Sequence, residues 1–309
     1  MDAQLIPAVI AWIERAEGHG RRVRSAELLP GATSSTLVLL RLSDGDATVR
    51  RVLRLFTLAE WLAEEPDLAL HEATALQRMA AGDPATPEVI AYDPDGAHCG
   101  VPAILMTCLP GHIELAPADM DAWLRDLAAA CFRIHQVSPE GFAWEYYPYT
   151  PLDELSVPIW TSHPGWYEHL IGVLSGPRPD VPVRFIHRDY HPNNVLWVDG
   201  RLSGVVDWPN ACRGPAQVDI GHCRGNLIGL YGLDVADRFL DRYGDLAGVA
   251  FTYDPYWELL SISDGLCGPN SPTVYPGWTA HGVTHLTDAL MVERLEGRLE
   301  RALADLGLL

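Results

Sequence analysis

The stretch VRFIHRDYHPNNVLWVDGRLSGVVDW, residues 183–208, constrains the fold more than any other part of the chain. Apolar RFI (184–186) and VLWV (195–198) read as two short strands. The polar HRDYHPNN between them is then a loop held at both ends, able to project hydrogen-bonding side chains in fixed geometry. Beyond it a second acid, Asp207, ends the strand GVVDW.

The patterns on either side of this unit differ. Upstream, VRSAELLPG (23–31) and SSTLVLLRLS (34–43) read as strands joined by the small-residue turn GATSS. DGD (44–46) is a hairpin signal, and ATVRRVLRLF (47–56) is a third strand. A helix is predicted over 66–81, with Pro66 near its start and Gly82 past its end. PEVIAYDPDG (87–96) and VPAILMTCLPG (101–111) are two more strands, so this third of the chain reads β-β-β-α-β-β. The leading MDAQLIPAVIAWIERAEG opens on an acid and repeats apolar residues at helical spacing, as an amphipathic surface helix does and a signal peptide does not. Downstream, 118–137 is a long amphipathic helix, 139–180 is rich in Pro, Gly and aromatic residues, and the chain beyond 208 is mainly helical. The expectation is an α+β protein. A small antiparallel-sheet lobe (1–109) is joined by one short segment, about 106–111, to a larger helical lobe (110–309), with polar loops at the joint.

Charge narrows the function classes. There are 41 acids against 22 basic residues, all of them arginine, for a net charge of −19. Nucleic-acid binding needs clustered Lys and Arg, so it is excluded. The acidity favours cationic ligands, or serves solubility alone. Six cysteines without CxxC spacing fit a reduced, cytoplasmic compartment. No stretch approaches the ~18 uninterrupted apolar residues of a membrane span.

Asp189, Asn194 five residues on, and Asp207 thirteen further make a three-point oxygen constellation. Few, hard oxygen ligands are what Mg²⁺ accepts when substrate phosphates and water complete its octahedron. Asn194 and Asp207 then hold metal, and Asp189 is free to take a proton from an attacking hydroxyl, the division of labour of phosphoryl transfer. A zinc site is a competing reading, because His187, Asp189 and His191 alternate. It finds no further His downstream at ligand spacing and leaves Asn194 and Asp207 unexplained. In a purely structural reading, Asp189 caps a turn and Asp207 ends a strand. His187 reads as a packed loop anchor.

HRDYHPNNVLW followed by GVVDW resembles the H-x-D-x-H-P-x-N-V-L…V-I-D-W signature of the aminoglycoside phosphotransferase and choline kinase family of small-molecule kinases. LLPGATSSTLVLL resembles that family's nucleotide loop, LMTCLPG its hinge, LRDLAAACFRIHQV the helix ending in its Leu-His pair, and GPAQVDIGHCRGNL its G-D-P-x-x-D-L-A segment. The resemblance implies a two-lobe protein-kinase-like fold. It makes Asp189 the catalytic base, gives Mg²⁺ to Asn194 and Asp207, and has Asp219 brace the catalytic loop. The implied reaction moves the γ-phosphoryl group of ATP, or of GTP, to a hydroxyl of a small molecule. An antibiotic is the first expectation for that acceptor; choline, ethanolamine, an amino acid or a sugar is the alternative. A nucleotide-binding regulatory module without turnover is the alternative of another class.

Kinase-like folds carry a lysine on the third strand, and this chain has none. Arg54 aligns with that basic position, two residues after Val52, which would touch adenine. Glu72, with Leu76 and Met79 at i+4 and i+7, is its expected partner. Gly31, Ser34 and Ser35 in the GATSS turn would present backbone N–H groups and a hydroxyl to phosphate. Met106 is expected behind the adenine, and the backbone of Thr107 and Leu109 at its edge. On the acceptor side, Glu145, Asp153, Trp160, Trp166, Glu168, Trp257 and Glu258 could line a site for a cationic ligand through carboxylates and cation–π contact.

Overall fold

The alternating stretches in the first third of the chain form β1 (Arg22–Leu28), β2 (Thr36–Ser43), β3 (Thr48–Leu55), β4 (Val89–Asp93) and β5 (Ala103–Thr107). They pair antiparallel in the order β1-β2-β3-β5-β4. The structure, a computed structural model, describes residues 4–29, 35–80 and 82–309. Gly31 and Ser34 of the expected phosphate turn lie outside the described residues.

Strand alternation sorts the sheet into two faces. Val38, Leu40, Leu42, Leu53 and Leu105 pack on one face with Val9, Trp12 and Ile13 of α1 (Pro7–Glu17). Val52 and Arg54 turn to the other face, with Met106 and Ile104 as their register partners on β5. α2 (Ala59–Glu64) was not anticipated; it is six residues long and has no side-chain cap. α3 (Leu68–Met79) occupies the core of the predicted 66–81 helix and buries Glu72, Leu76 and Met79.

The chain divides into two compact units, Met1–His112 with Ser203–Ala211, and Ile113–Leu202 with Cys212–Leu309. The expected cut between 109 and 110 has no counterpart to the returning strip 203–211. Local contacts explain why that strip belongs to the first unit. Val205 N donates to Ala85 O at 2.9 Å, and the Ser203 hydroxyl donates to Pro110 O at 2.7 Å. Gly204 approaches so closely that a Cβ would stand 2.6 Å from Ala85 O and from Leu109 Cδ1. Only glycine fits there.

β6 (His112–Ile113) is a two-residue strand at the boundary. In the second unit, α4 (Met120–Ile134) starts where the Asp119 carboxylate accepts from Ala122 N at 3.0 Å. α5 (Pro164–Leu174), β7 (Val183–Ile186), β8 (Val195–Val198), β9 (Arg201–Val205) and β10 (Cys212–Pro215) follow, with β9 running on into the returning strip. The rest is helical: α6 (Ala216–Tyr231), α7 (Leu233–Ala247), α8 (Pro255–Leu266), α9 (Pro276–Ala280) and α10 (Asp288–Asp305). β10 pairs antiparallel with β7, placing Cys212 opposite Ile186. A core of the second unit joins α5, α8 and α10 through Tyr167, Leu170, Trp257, Leu260, Leu299 and Leu303. Among the described residues no helix is long and apolar enough to cross a membrane.

Candidate active site

Between β7 and β8 the polar loop is fixed from below by one carboxylate. Asp219, buried in the first turn of α6, accepts from the backbone N–H of His187 at 2.8 Å and of Arg188 at 2.6 Å. His135, at the end of α4, donates to the same carboxylate from Nε2 at 3.0 Å and takes the Tyr243 hydroxyl at Nδ1, 2.7 Å away. Arg188 has φ 68°, the left-handed region that costs an ordinary residue of order 1 kcal/mol or more. The paired bonds to Asp219 hold it there, and its buried guanidinium lies 4.1 Å from the ring of Tyr147 and 4.2 Å from that of Tyr149.

The loop then presents Asp189 in one orientation. Asn194 donates from Nδ2 to Asp189 Oδ2 at 3.0 Å and to Asp189 O at 2.9 Å. His222, on α6, meets the other oxygen, Oδ1, at 3.0 Å, and His191 Nε2 lies 3.8 Å from it. Burial alone would raise the Asp189 carboxyl, but His191, His222 and His187 hold it well below the usual carboxylate range. Burial likewise disfavours charge on His222, and the hydrogen bond and charge of Asp189 outweigh it, so the imidazole is shifted up. His222 escaped sequence reasoning. It stands one helical turn after Asp219, and that i, i+3 spacing was the available signal.

In the first unit Arg54 and Glu72 are both buried, with Arg54 Nη1 3.1 Å from Glu72 Oε1. The same Nη1 lies 2.8 Å from Asp207 Oδ1. Asp207 sits in the left-handed region at φ 70°, and its side chain keeps 38% of its exposure. The Trp208 amide donates to Glu72 Oε1 at 3.4 Å. Burial is the largest influence on Glu72. It outweighs Arg54 and pushes the carboxyl up to about 7, with Asp207 adding repulsion. Val52 is half-buried and Met106 buried, side by side in the sheet. Thr107 is tied to Glu88 through N–H to O at 2.9 Å and through Oγ1 at 2.8 Å. Ser35 is half-buried in a bend.

The acceptor candidates separate into kinds. Glu145 is exposed and ion-paired with Arg213. Asp153 and Glu168 are exposed, Trp166 stacks on His163 at 3.9 Å, and Trp160 donates to Gly268 O at 3.3 Å. Glu258 is spent inside the helical core: Arg298 Nε reaches it at 2.7 Å, Arg224 Nε at 3.2 Å, and the Tyr253 hydroxyl donates at 2.6 Å. Against burial these partners pull its carboxyl down to about 2. Trp257 remains, lining a small pocket with Tyr146, Tyr149, Arg188, His222 and Asp264.

A sheet-based unit with a buried Arg–Glu pair, and a helical unit carrying a braced Asp–Asn loop, define a protein-kinase-like phosphotransferase. Residues 25–259 match the phosphotransferase enzyme family, and the chain belongs to it. It is an enzyme that transfers a phosphoryl group to a hydroxyl. A thermostable mutant of aminoglycoside phosphotransferase APH(4)-Ia, in ternary complex with AMP-PNP and hygromycin B, is similar with a TM-score of 0.63 at 17% identity, over 97% of this chain and 98% of that one. The macrolide 2'-phosphotransferase MphH from Brachybacterium faecium is similar with a TM-score of 0.60 at 16% identity, over 94% and 98%. These likenesses establish the fold. A homoserine kinase from Rhodopseudomonas palustris is 37% identical over 51 residues, spanning 16% of this chain and 16% of that kinase.

Proposed function

We propose that the protein is an ATP-dependent O-phosphotransferase whose acceptor is a hydroxyl of a small molecule, an aminoglycoside-like or other antibiotic. The observation that carries this reading is the Asp189 carboxylate, clamped by Asn194 on one oxygen and His222 on the other and held in its charged form. A hydroxyl resting on it is aligned for in-line attack and loses its proton late. Phosphoryl transfer rests on positioning and electrostatics, so a base with a low pKa suffices.

Mg²⁺ would bind through Asn194 and Asp207. The donor set fits: Asn194 spends its amide nitrogen on Asp189, which leaves its oxygen for a cation, and Asp207 is part-exposed. Both are hard oxygen donors. Once bound, the ion neutralises charge developing on the phosphate oxygens. Arg54, oriented by Glu72, meets the α- and β-phosphates in place of the usual lysine. Val52, Met106 and the backbone of Thr107 and Leu109 are assigned to the adenine, and the turn with Gly31, Ser34 and Ser35 to phosphate. The AMP-PNP and hygromycin B of the APH(4)-Ia complex support a nucleotide donor and an antibiotic acceptor, with GTP as the alternative donor. For a cationic acceptor, Asp264 beside Trp257 and Tyr149 is the best-placed acid. The free cysteines fit a reducing cytoplasm. The homoserine kinase match favours a second reading, an amino-acid hydroxyl as acceptor.

An ATP-consumption screen over amine- and hydroxyl-bearing antibiotics and metabolites separates the two acceptor readings. Asp189→Asn then tests the chemistry. Calorimetry should show nearly unchanged Mg·ATP affinity. A coupled ADP assay should show turnover down ~10²-fold or more, the scale of losing a positioned base. Retained turnover would remove Asp189 from the chemistry and favour a binding module. Lost nucleotide affinity would make it a metal or structural residue.

A further inference from the structure

His222 changes what the loop can bind. Sequence spacing offered His187, Asp189 and His191 no further imidazole, and α6 supplies one. We propose that Asp189, His191 and His222 form a two-histidine, one-carboxylate site for a borderline transition-metal ion, Zn²⁺ or Co²⁺. Its occupation blocks the loop's carboxylate.

One donor atom from each residue lies within 4.8 Å of the other two. Asp189 Oδ1 is 3.0 Å from His222 Nε2 and 3.8 Å from His191 Nε2. Ligands at about 2.0–2.1 Å from a tetrahedral zinc stand roughly 3.3 Å apart, so side-chain movements of about 1 Å complete the set. The support around it is already built. Asn194 fixes the second oxygen of Asp189, and the His191 ring lies edge-on to His222 at 5.5 Å and to Tyr275 at 6.4 Å. Asp219, three residues before His222, registers α6 against the loop backbone. Asp189 and His222 keep 26% and 30% side-chain exposure, which leaves a way in and open positions for water.

Two imidazole nitrogens select against Mg²⁺, which prefers oxygen, and for Zn²⁺, Co²⁺ or Ni²⁺. This site is therefore chemically distinct from the Asn194 and Asp207 oxygens. An ion there takes the lone pair on which the acceptor hydroxyl would rest, so inhibition should compete with acceptor. That consequence depends on Asp189 being the base; the binding itself does not.

Cobalt titration of the untagged, nucleotide-free protein, followed by visible absorption, reads the site directly, and zinc calorimetry gives its affinity. His222→Gln keeps an N–H for Asp189 but removes the ligating nitrogen. It should weaken both ions by more than ~10-fold, since even outer-shell changes cost 10–100-fold. His191→Asn should show the same loss, and exposed His285→Gln should show none. Equal affinity in wild type and both ligand variants, or no binding by wild type, overturns the proposal. If no acceptor is ever found, the function assigned to Asp189 fails while the cobalt result stands.

Discussion

Glu72 and Glu258, one in each unit, are both buried beside arginines and end in opposite states. Glu72 has one arginine, and that arginine also faces Asp207; its carboxyl is pushed up to about 7. Glu258 has two arginines and a tyrosine hydroxyl; its carboxyl is pulled down to about 2. Burial opposes the charge at both, so the number of donors decides. In the helical unit the negative charge is fully compensated and the cluster is closed. In the sheet unit two acids share one guanidinium, and a further cation would be welcome there. The first arrangement holds helices together; the second is the kind of poised charge on which the proposed Mg²⁺ and phosphate chemistry would draw.

The largest test of this contrast is Glu258→Gln. Breaking the buried cluster leaves Arg298 without its carboxylate, while Arg224 keeps Asp237 at 2.9 Å, and should cost about 3–5 kcal/mol at pH 7. The folded pKa of Glu258 lies below its ordinary 4.5, so its contribution is fully present above 4.5 and is lost as pH falls toward 2. Urea unfolding should therefore show a wide gap between wild type and variant at pH 7 that narrows steadily below pH 4.5. A gap independent of pH would mean that packing, not charge, is what the glutamate supplies.

Glu72→Gln should behave in the opposite sense. Its folded pKa lies above 4.5, so the folded state holds the proton more tightly, and wild-type stability falls as pH rises from about 4.5 through 7. The amide variant lacks this loss. Measured in a chelator, the variant should gain on wild type by up to ~3 kcal/mol between pH 5 and pH 8. Activity should move the other way, because Arg54 loses its charged orienting partner: a drop of roughly tenfold at pH 8, the order expected when a positioning contact is lost. A variant that loses stability steadily with rising pH would show that Glu72 is as well compensated as Glu258.

The difference between the two glutamates was not legible in the sequence. Glu72 could be placed from a helical stripe, since Leu76 and Met79 follow at the right spacing and the local pattern is real. Glu258 sits in an acidic, aromatic stretch that reads like a binding surface. Its partners Arg224 and Arg298 are 34 and 40 residues away, and only the packing of α6, α8 and α10 brings them in. The loop of Asp189 and Asn194 was readable because its chemistry is local: two polar groups five residues apart, on an eight-residue loop between two apolar runs. β10 was not, because Cys-Arg-Gly-Pro has no strand propensity and becomes a strand only by pairing with β7. α6 buries residues all round, so its apolar pattern did not single out His222, and the i, i+3 spacing from Asp219 was its only pointer.

The smallest effect tests whether the sheet keeps its two faces apart. Arg51 and Arg54 are near neighbours on β3, and alternation sends them to opposite sides. Arg51 meets Glu17 of α1 in a two-pronged pair, Nε to Oε2 at 2.8 Å and Nη2 to Oε1 at 2.7 Å. Arg21 reaches the same glutamate at 2.6 Å, so Arg51→Ala leaves Glu17 with one partner. Glu17 is buried, but Arg21 goes on pairing with its carboxylate, so the loss of Arg51 should cost only about 1–2 kcal/mol. Arg54→Ala removes the cation that pairs with both Glu72 and Asp207, and it should raise the apparent ATP constant. Thermal unfolding and nucleotide titration of both variants give a two-by-two outcome. Arg51→Ala should shift only the first measurement, and Arg54→Ala should shift the second. If Arg51→Ala weakened nucleotide binding as much as Arg54→Ala, the assignment of phosphate contact to the Glu72 side of the sheet would fail.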